Sequence, residues 1–311
     1  MVEINWQSLR DLRGKYVSQA DSIRDYWADD QILSDYHETL GQRILWKWHS
    51  VLKLLQKEHG KLFRGPLRVK DFGCGTGVAS LAFLEIFGTD AVASLKLFDR
   101  SPRAMSFARR TIQMSYPNVS LDKALGSPED VDILLVSHVL TEMTESHLKE
   151  LLLGIRRAKY VIWVEAGTHP VSDRLVRARD LLCDQFKVLA PCLHQKPCGM
   201  TTEENSSHWC HFFADVPQQV HHSAFWREFA KQLKVDLRSL PLSYVVLAAH
   251  DVCTLGDDID QKRIIGRVRE YKGYCRALLC DEAGVYEASI QKRNDKKRFK
   301  ELCRGGFCLS L

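Results

Sequence analysis

Three groups of residues in this chain have types and spacings that can do chemistry. The first is Asp71-Phe72-Gly73-Cys74-Gly75-Thr76-Gly77. Alternate glycines let a backbone turn sharply and approach a ligand with no Cβ in the way, and a helix starting there offers its free N–H groups at the same point. Asp99 ends the next apolar run and can accept both hydroxyls of a ribose. Asp71, Gly73, Gly75, Gly77 and Asp99 therefore predict a nucleotide-like ligand, although the spacing is not the G-x-G-x-x-G of dinucleotide folds. The second group is Ser137-His138, at the end of the apolar run 132–137. Its histidine is either a base or a polar residue lining the pocket. The third is Cys192, Cys198 and Cys210, spaced C-x5-C-x11-C, with His194, His208 and His211 among them. Thiolates and imidazoles in a loop bearing proline and glycine fit a soft-metal site. Three thiols leave a tetrahedral set one short, so a fourth ligand has to come from a histidine or from farther along, and the spacing matches no standard zinc finger.

The elements that position these groups follow from periodicity. Apolar runs at 67–71, 95–99, 132–137 and 160–164 read as strands separated by helix-length segments, with a shorter strand near Val119. This predicts an α/β fold with a parallel sheet and right-handed crossovers. The carboxyl ends of its strands face the ligand crevice, which brings Ser137 and His138 near the reacting centre. Glu165 ends the following strand. Segments 186–189 and 243–248 read as an antiparallel pair closing the sheet. From Thr39 to Glu58, Leu40, Ile44, Trp48, Val51, Leu52 and Leu55 recur at helical spacing with one buried stripe, with Trp46 and Lys47 beside it. The D-x-G-x-G-x-G run followed by the acid resembles the class I methyltransferases that bind S-adenosylmethionine. In that family the loop holds the methionine end of the cofactor and the acid holds the ribose. The segment Ser137 to Met143 lacks the Asn/Asp-Pro-Pro-Tyr that amino-group methyltransferases place there. Methyl transfer from a sulfonium depends mainly on alignment, so the missing motif does not exclude it.

With 311 residues, the chain has room for a core domain and appendages. A composition 45% apolar and 27% charged is that of a globular protein, which excludes disordered and membrane-spanning classes. The N-terminus lacks the layout of a signal peptide, and Glu3 and Asp11 argue against a mitochondrial presequence. A cytoplasmic, bacterial-type protein is expected. Its ten cysteines should stay reduced there, which favours metal binding over disulfides; Cys74, Cys183, Cys253, Cys303 and Cys308 read as core thiols. The charge is uneven. From Gln261 to Leu311 there are 13 Lys/Arg against 6 Asp/Glu, which leaves residues 1–260 at −2 within a total of +5. Segments 263–268, 274–280 and 285–290 read as three short strands, with Asp281-Glu282-Ala283-Gly284 turning between the last two. The run 291–300 then carries six basic residues and one acid. A small β module with this charge points to an anionic partner, with RNA backbone the candidate.

The resemblance becomes specific over residues 26 to 300. Arg43-Ile44-Leu45-Trp46-Lys47-Trp48, the glycine loop, Ser137-His138-Val139-Leu140-Thr141-Glu142, Pro191-Cys192, Trp209-Cys210-His211-Phe212 and Lys272-Gly273 through Gln291-Lys292-Arg293 occur in one order. Together they look like the small-ribosomal-subunit methyltransferase-like family, found in bacteria and in mitochondria. The resemblance implies a four-iron–four-sulfur cluster held by Cys192, Cys198, Cys210 and a remote Cys280, with zinc as the alternative metal. Cys275 is the rival to Cys280; five residues apart on one strand, the two point to opposite faces. The expected architecture is a class I methyltransferase Rossmann-like sheet with an N-terminal helical cap (1–64), a cofactor domain (65–255) with its Cys-rich insertion at about 190–215, and a basic C-terminal β module (261–311). The expected partners are the small ribosomal subunit and its rRNA, with no DNA or membrane, in the mitochondrial matrix if the source is eukaryotic. Two functions stay open: an RNA methyltransferase, and a non-catalytic assembly factor that binds the cofactor and the cluster.

Overall fold

The computed structural model describes residues 4–17, 25, 27–121, 131–252, 261–303 and 308–310. Cys253 and the side chain of Cys308 lie outside the described residues. In chain order the elements are α1 (Trp6–Val17), α2 (Asp30–Tyr36), α3 (Gln42–His59), β1 (Leu67–Phe72), α4 (Val78–Phe87), β2 (Val92–Phe98), α5 (Pro102–Ser115), β3 (Ile133–Ser137), α6 (Glu145–Ile155) and β4 (Tyr160–Ala166). Then follow α7 (His169–Leu182), β5 (Phe186–Ala190), β6 (Phe212–Phe213), α8 (Gln218–His222), α9 (Ala224–Leu233), β7 (Pro241–Ala249), β8 (Gln261–Tyr271), β9 (Tyr274–Asp281), β10 (Gly284–Gln291), α10 (Lys296–Cys303) and β11 (Cys308–Ser310). The chain divides into two compact units, Met1–Val164 with Ala214–Leu240, and Glu165–Phe213 with Pro241–Leu311.

In the first unit the strands run parallel in the order β2-β1-β3-β4. Val69 lies beside Leu95 on one side and Ile133 on the other, and Ile133 beside Tyr160. β3 is buried along almost its whole length, as a strand covered on both faces must be, which explains its unbroken apolar run. The strand expected near Val119 is reduced to one parallel bridge, Leu95 to Leu121. Local signals set the helix starts. Ser101 caps α5 by accepting from the Ala104 amide with Pro102 at the first helical position, and Thr144 caps α6 by accepting from His147. A π-helical turn, His37–Gly41, joins α2 to α3.

α3 buries more than the expected stripe. Ile44, Trp48, Val51, Leu52 and Leu55 are buried, and so are Trp46, Lys47 and Arg43, whereas Leu40 is only half-buried. The reason is a second cover. Trp46 packs on Trp226 of α9 at 4.9 Å, and Arg43 lies over Phe229 and donates to the Ser239 carbonyl. Leu9, Leu12, Ile32, Leu33, Ala104, Phe229 and Leu233 form the core shared by α1, α2, α5 and α9.

In the second unit β5 and β7 are antiparallel, with Phe186 beside Ala249 and Val188 beside Leu247, and β6 pairs with the start of β7. A separate antiparallel sheet has the order β10-β9-β8-β11. The turn Asp281 to Gly284 joins β9 to β10 as expected. The basic run contributes a helix beyond the three expected strands. α10 buries Phe299 and Leu302 against Cys275, Ala277 and Leu279 and leaves Lys296, Lys297 and Lys300 exposed.

Candidate cofactor site and cysteine cluster

The glycine loop is pinned to the tip of β2. The amides of Gly73 and Cys74 both donate to the Phe98 carbonyl, at 2.8 and 2.9 Å. The amide of Gly75 donates to Asp99 Oδ2 at 2.9 Å, and that of Ser101 to Oδ1 at the same distance. Loop and acid are thus one bonded unit. Burial pushes the Asp99 carboxyl up, while these two amides act to hold it ionised.

A cavity of about 530 Å³ opens over the loop, within the range of small-molecule sites. Gly73, Gly75 and Asp99 line it, with Ser137 and His138 at the tip of β3 and with Tyr36, Arg100 and Glu142. Arg100 pairs with Glu142 at 3.0 Å, and burial, with Glu142 and Asp99 nearby, raises the Tyr36 hydroxyl. Gly73 has φ +69°, and a Cβ there would stand 2.5 Å from Val139 Cγ1. Gly73→Ala is therefore expected to strip the site of ligand binding, and adding Val139→Ala to restore part of it by removing the clash while the unfavourable φ remains. Isothermal titration of both variants checks this; equal loss in the double variant sinks the steric account.

Two predicted residues have other posts. Asp71 is fully buried, does not line the cavity, and accepts from the Ser80 amide and hydroxyl at 3.2 and 2.6 Å, which ties β1 to α4. Burial pushes its carboxyl up to about 6. Gly77 also stands off the lining. At φ +81° it starts α4, and a Cβ there would meet Ala108 and Ile112 of α5 at 3.1 and 3.2 Å.

His138 takes a left-handed φ of 54°, uncommon for a residue with a side chain. Its Nε2 is 3.1 Å from Lys47 Nζ, and its Nδ1 is 3.5 Å from Ser137 Oγ, which accepts from Trp48 Nε1 at 2.9 Å. An ammonium only donates, so Nε2 accepts and the ring proton belongs on Nδ1. Burial, and after it the Lys47 charge, hold His138 well below the ordinary histidine range. The result is a neutral imidazole whose lone pair is engaged. Periodicity alone assigns Lys47 no role; the signal available is a lysine bordering an apolar stripe.

In the second unit the cysteine loop is clamped by buried charge. Arg179 donates to the carbonyls of Lys196 and His194 at 2.7 and 2.9 Å, Arg263 to that of Pro191 at 2.7 Å, and the Cys198 amide to Asp180. The Cys210 carbonyl accepts from Ser172 and Ser243, both at 2.7 Å. Cys280 Sγ lies 3.5 Å from His194 Nε2. Burial pushes all four thiols up, Cys198 to about 12, and the neighbouring thiols add to it: Cys192 raises Cys198, and Cys192 and Cys198 raise both Cys210 and Cys280. Cys275 faces α10 instead. His211 stacks on Trp209 at 4.5 Å and bonds its carbonyl through Nδ1. Arg179 Nε and Arg263 Nη1 are buried without a hydrogen-bond partner. Two buried guanidiniums beside four thiols match the ligand type and charge of an anionic thiolate–metal centre. Among the described residues, however, no group of three or more His, Cys, Asp and Glu is arranged to hold a metal ion.

Solved structures similar to this chain include the magnesium protoporphyrin IX methyltransferase of Synechocystis with bound S-adenosylmethionine, at 14% identity and a TM-score of 0.41 over 80% of this chain and 98% of that one. A precorrin-6y C5,15-methyltransferase of Geobacter metallireducens matches at 16% identity and a TM-score of 0.37, over 64% and 85%. A SAM-dependent methyltransferase of Archaeoglobus fulgidus matches at 17% and 0.35, over 69% and 97%. At such scores the fold assignment rests on the strand order and the glycine loop themselves. Comparison with curated proteins gave no match. The model of the family described as mitochondrial small ribosomal subunit Rsm22 matches residues 48–304, and the chain belongs to that family.

Proposed function

We propose that this protein is a methyltransferase-like component of small-ribosomal-subunit function that binds S-adenosylmethionine in the cavity over Gly73 and Gly75. The observation that carries this reading is the bonded unit of glycine loop and Asp99 at the cavity wall, in a chain whose family is that of the small ribosomal subunit. Asp99 would accept the ribose hydroxyls, Gly73 and Gly75 would admit the methionine end, and Ser137 would border the reacting centre. Asp71 and Gly77 support the loop from behind. The bound cofactor supplies an electrophilic sulfonium methyl, and this chain's task is to orient it and exclude water.

The Lys47–His138 contact favours a second reading, cofactor binding without transfer, because it leaves His138 no free lone pair with which to take a proton. Methylation mapping of small-subunit rRNA, from cells with and without this gene, separates the two. A methyl group lost on deletion, and restored by the wild type but not by Asp99→Ala, identifies an enzyme and its target. Identical maps with immature subunits accumulating identify an assembly factor.

We also infer that Cys192, Cys198, Cys210 and Cys280 are the ligands of a [4Fe-4S] cluster, with zinc the alternative. The packing of Cys198, Cys210 and Cys280 in one cluster, with Cys192 near enough to raise their thiols, and the unpaired atoms of Arg179 and Arg263 support it. Iron and sulfide in about fourfold excess over anaerobically purified protein are expected, and zinc alone would refute the cluster. The basic module would contact rRNA. Replacing Lys296, Lys297 and Arg298 should weaken RNA binding and flatten its salt dependence. Among the described residues no helix is long and apolar enough to cross a membrane. The compartment we infer is that of the ribosome served, the mitochondrial matrix in a eukaryote or the cytoplasm in a bacterium.

A further inference from the structure

Side chains alternate across the C-terminal sheet. On one face Cys275, Ala277 and Leu279 of β9 are covered by Phe299 and Leu302. On the other face Leu278 and Cys280 pack with Cys198, Met200 and Ile265, so that end is closed by the cysteine loop. Among the described residues the opposite end of this second face is left open, with Arg269, Tyr271 and Arg276 exposed. It carries Tyr271 and Tyr274, paired across the Lys272-Gly273 turn, and Arg269 paired with Arg276. The two tyrosine rings stack at 4.8 Å with 9° between their planes, and the Arg276 guanidinium lies 5.9 Å from the Tyr274 ring centre. Tyr271 is 41% exposed, and it belongs to neither apolar cluster of the module. Beyond its cross-strand stack on Tyr274, its ring joins no apolar core of the described module.

We propose that this open end is a stacking platform for the bases of single-stranded RNA, with Tyr271 the ring that receives a base. The proposal rests on the RNA-binding reading of the module and deepens it, from backbone attraction to a defined contact with bases. An exposed aromatic ring backed by a second ring and flanked by arginine is the arrangement on which bases stack regardless of sequence. Charge complementarity chooses the occupant. Arg269 and Arg276 share one carboxylate, Glu287, which leaves an excess positive charge on the platform. Lys272 and Arg293 are exposed around the turn, where the Lys292 amide bonds the Gly273 carbonyl, whereas the Lys292 ammonium lies over Phe299 on the opposite face. Glu270 pairs in register with Cys275 and so belongs to the opposite face. Phosphates then find Arg269 and Arg276 beside the rings while a base covers Tyr271.

The test uses the full chain and fluorescence anisotropy with labelled oligouridine of about 12 nucleotides, alongside an abasic strand of the same length. Tyr271→Ala is expected to weaken oligouridine binding about 5- to 30-fold with an unchanged salt slope. Tyr271→Phe should retain most of the affinity, Tyr271→Leu should not, and the abasic strand should bind wild type and Tyr271→Ala alike. Wild-type affinity in Tyr271→Ala overturns the platform while leaving the RNA reading intact, and so does an equal loss on the abasic strand. Absence of oligouridine binding by the wild type overturns both. Loss of binding to anionic vesicles in Tyr271→Ala, with RNA binding unchanged, reassigns the face to a membrane surface.

Discussion

Replacement of Asp99 by Ala is expected to weaken S-adenosylmethionine binding by roughly 10- to 100-fold, the worth of a hydrogen bond to a charged acceptor in a partly buried site. The carboxylate already receives the amides of Gly75 and Ser101, so its orientation is set before any ligand arrives and little ordering cost remains at binding. Its remaining lone pairs face a cavity that Phe98 and Arg100 also line. Removing the side chain frees the Gly75 amide as well, so part of the loss could reflect a looser loop. Asp99→Asn separates the two effects: its one amide oxygen can still accept from Gly75 and keep the loop pinned, while the carboxylate charge and the second acceptor are lost. If Asn loses nearly as much affinity as Ala while its ligand-free melting temperature stays near wild type, the ribose contact is the cause. Unchanged affinity in Asp99→Ala, read by calorimetry, would remove the ribose assignment and with it the central support for the cofactor reading.

The largest stability effect is expected at Trp48. Its side chain is fully buried in α3, and its indole N–H reaches Ser137 at the tip of β3. Trp48→Ala should cost about 3–5 kcal/mol, since the indole leaves a cavity that its neighbours fill only partly. Trp48→Phe keeps most of the buried ring and loses the donor, for about 1–2 kcal/mol. Urea unfolding measures both. The cofactor titration should follow a different order: Trp48→Phe releases Ser137 beside His138 and shifts ligand affinity more than its stability cost alone implies. Equal midpoints for Ala and wild type would mean that α3 does not hold the tip of β3 as described.

Residues close in the chain made much of this protein legible before its fold was known. The strand–glycine turn–helix unit and the capped starts of α5 and α6 depend on neighbours a few residues away, where side-chain type and backbone preference act directly. The alternation on β9 also follows from local geometry, which is why Cys275 and Cys280 could be assigned to opposite faces. Local pattern could not say which face would be covered, or along how much of its length. The open end that presents Tyr271 exists because the cysteine loop closes only the other end. Asp71 and Asp99 were both expected at the ligand, Asp99 at its ribose. The fold turns Asp71 under α4 to meet Ser80 and leaves Asp99 at the cavity.

Lys47 meets His138 across a separation of 91 residues in the chain, and Trp48 meets Ser137 across one of 89. No spacing rule reaches that far, because such contacts arise only when α3 is laid against the sheet. The sequence by itself determined the glycine loop, the acid at the end of the second strand and the donor types of the cysteine loop. Tertiary packing decided which thiols pack together, that Asp71 turns away from the cavity and whether the histidine keeps a free lone pair. Those outcomes turn on desolvation and on distances between remote elements, and neither is a property of any local stretch of chain.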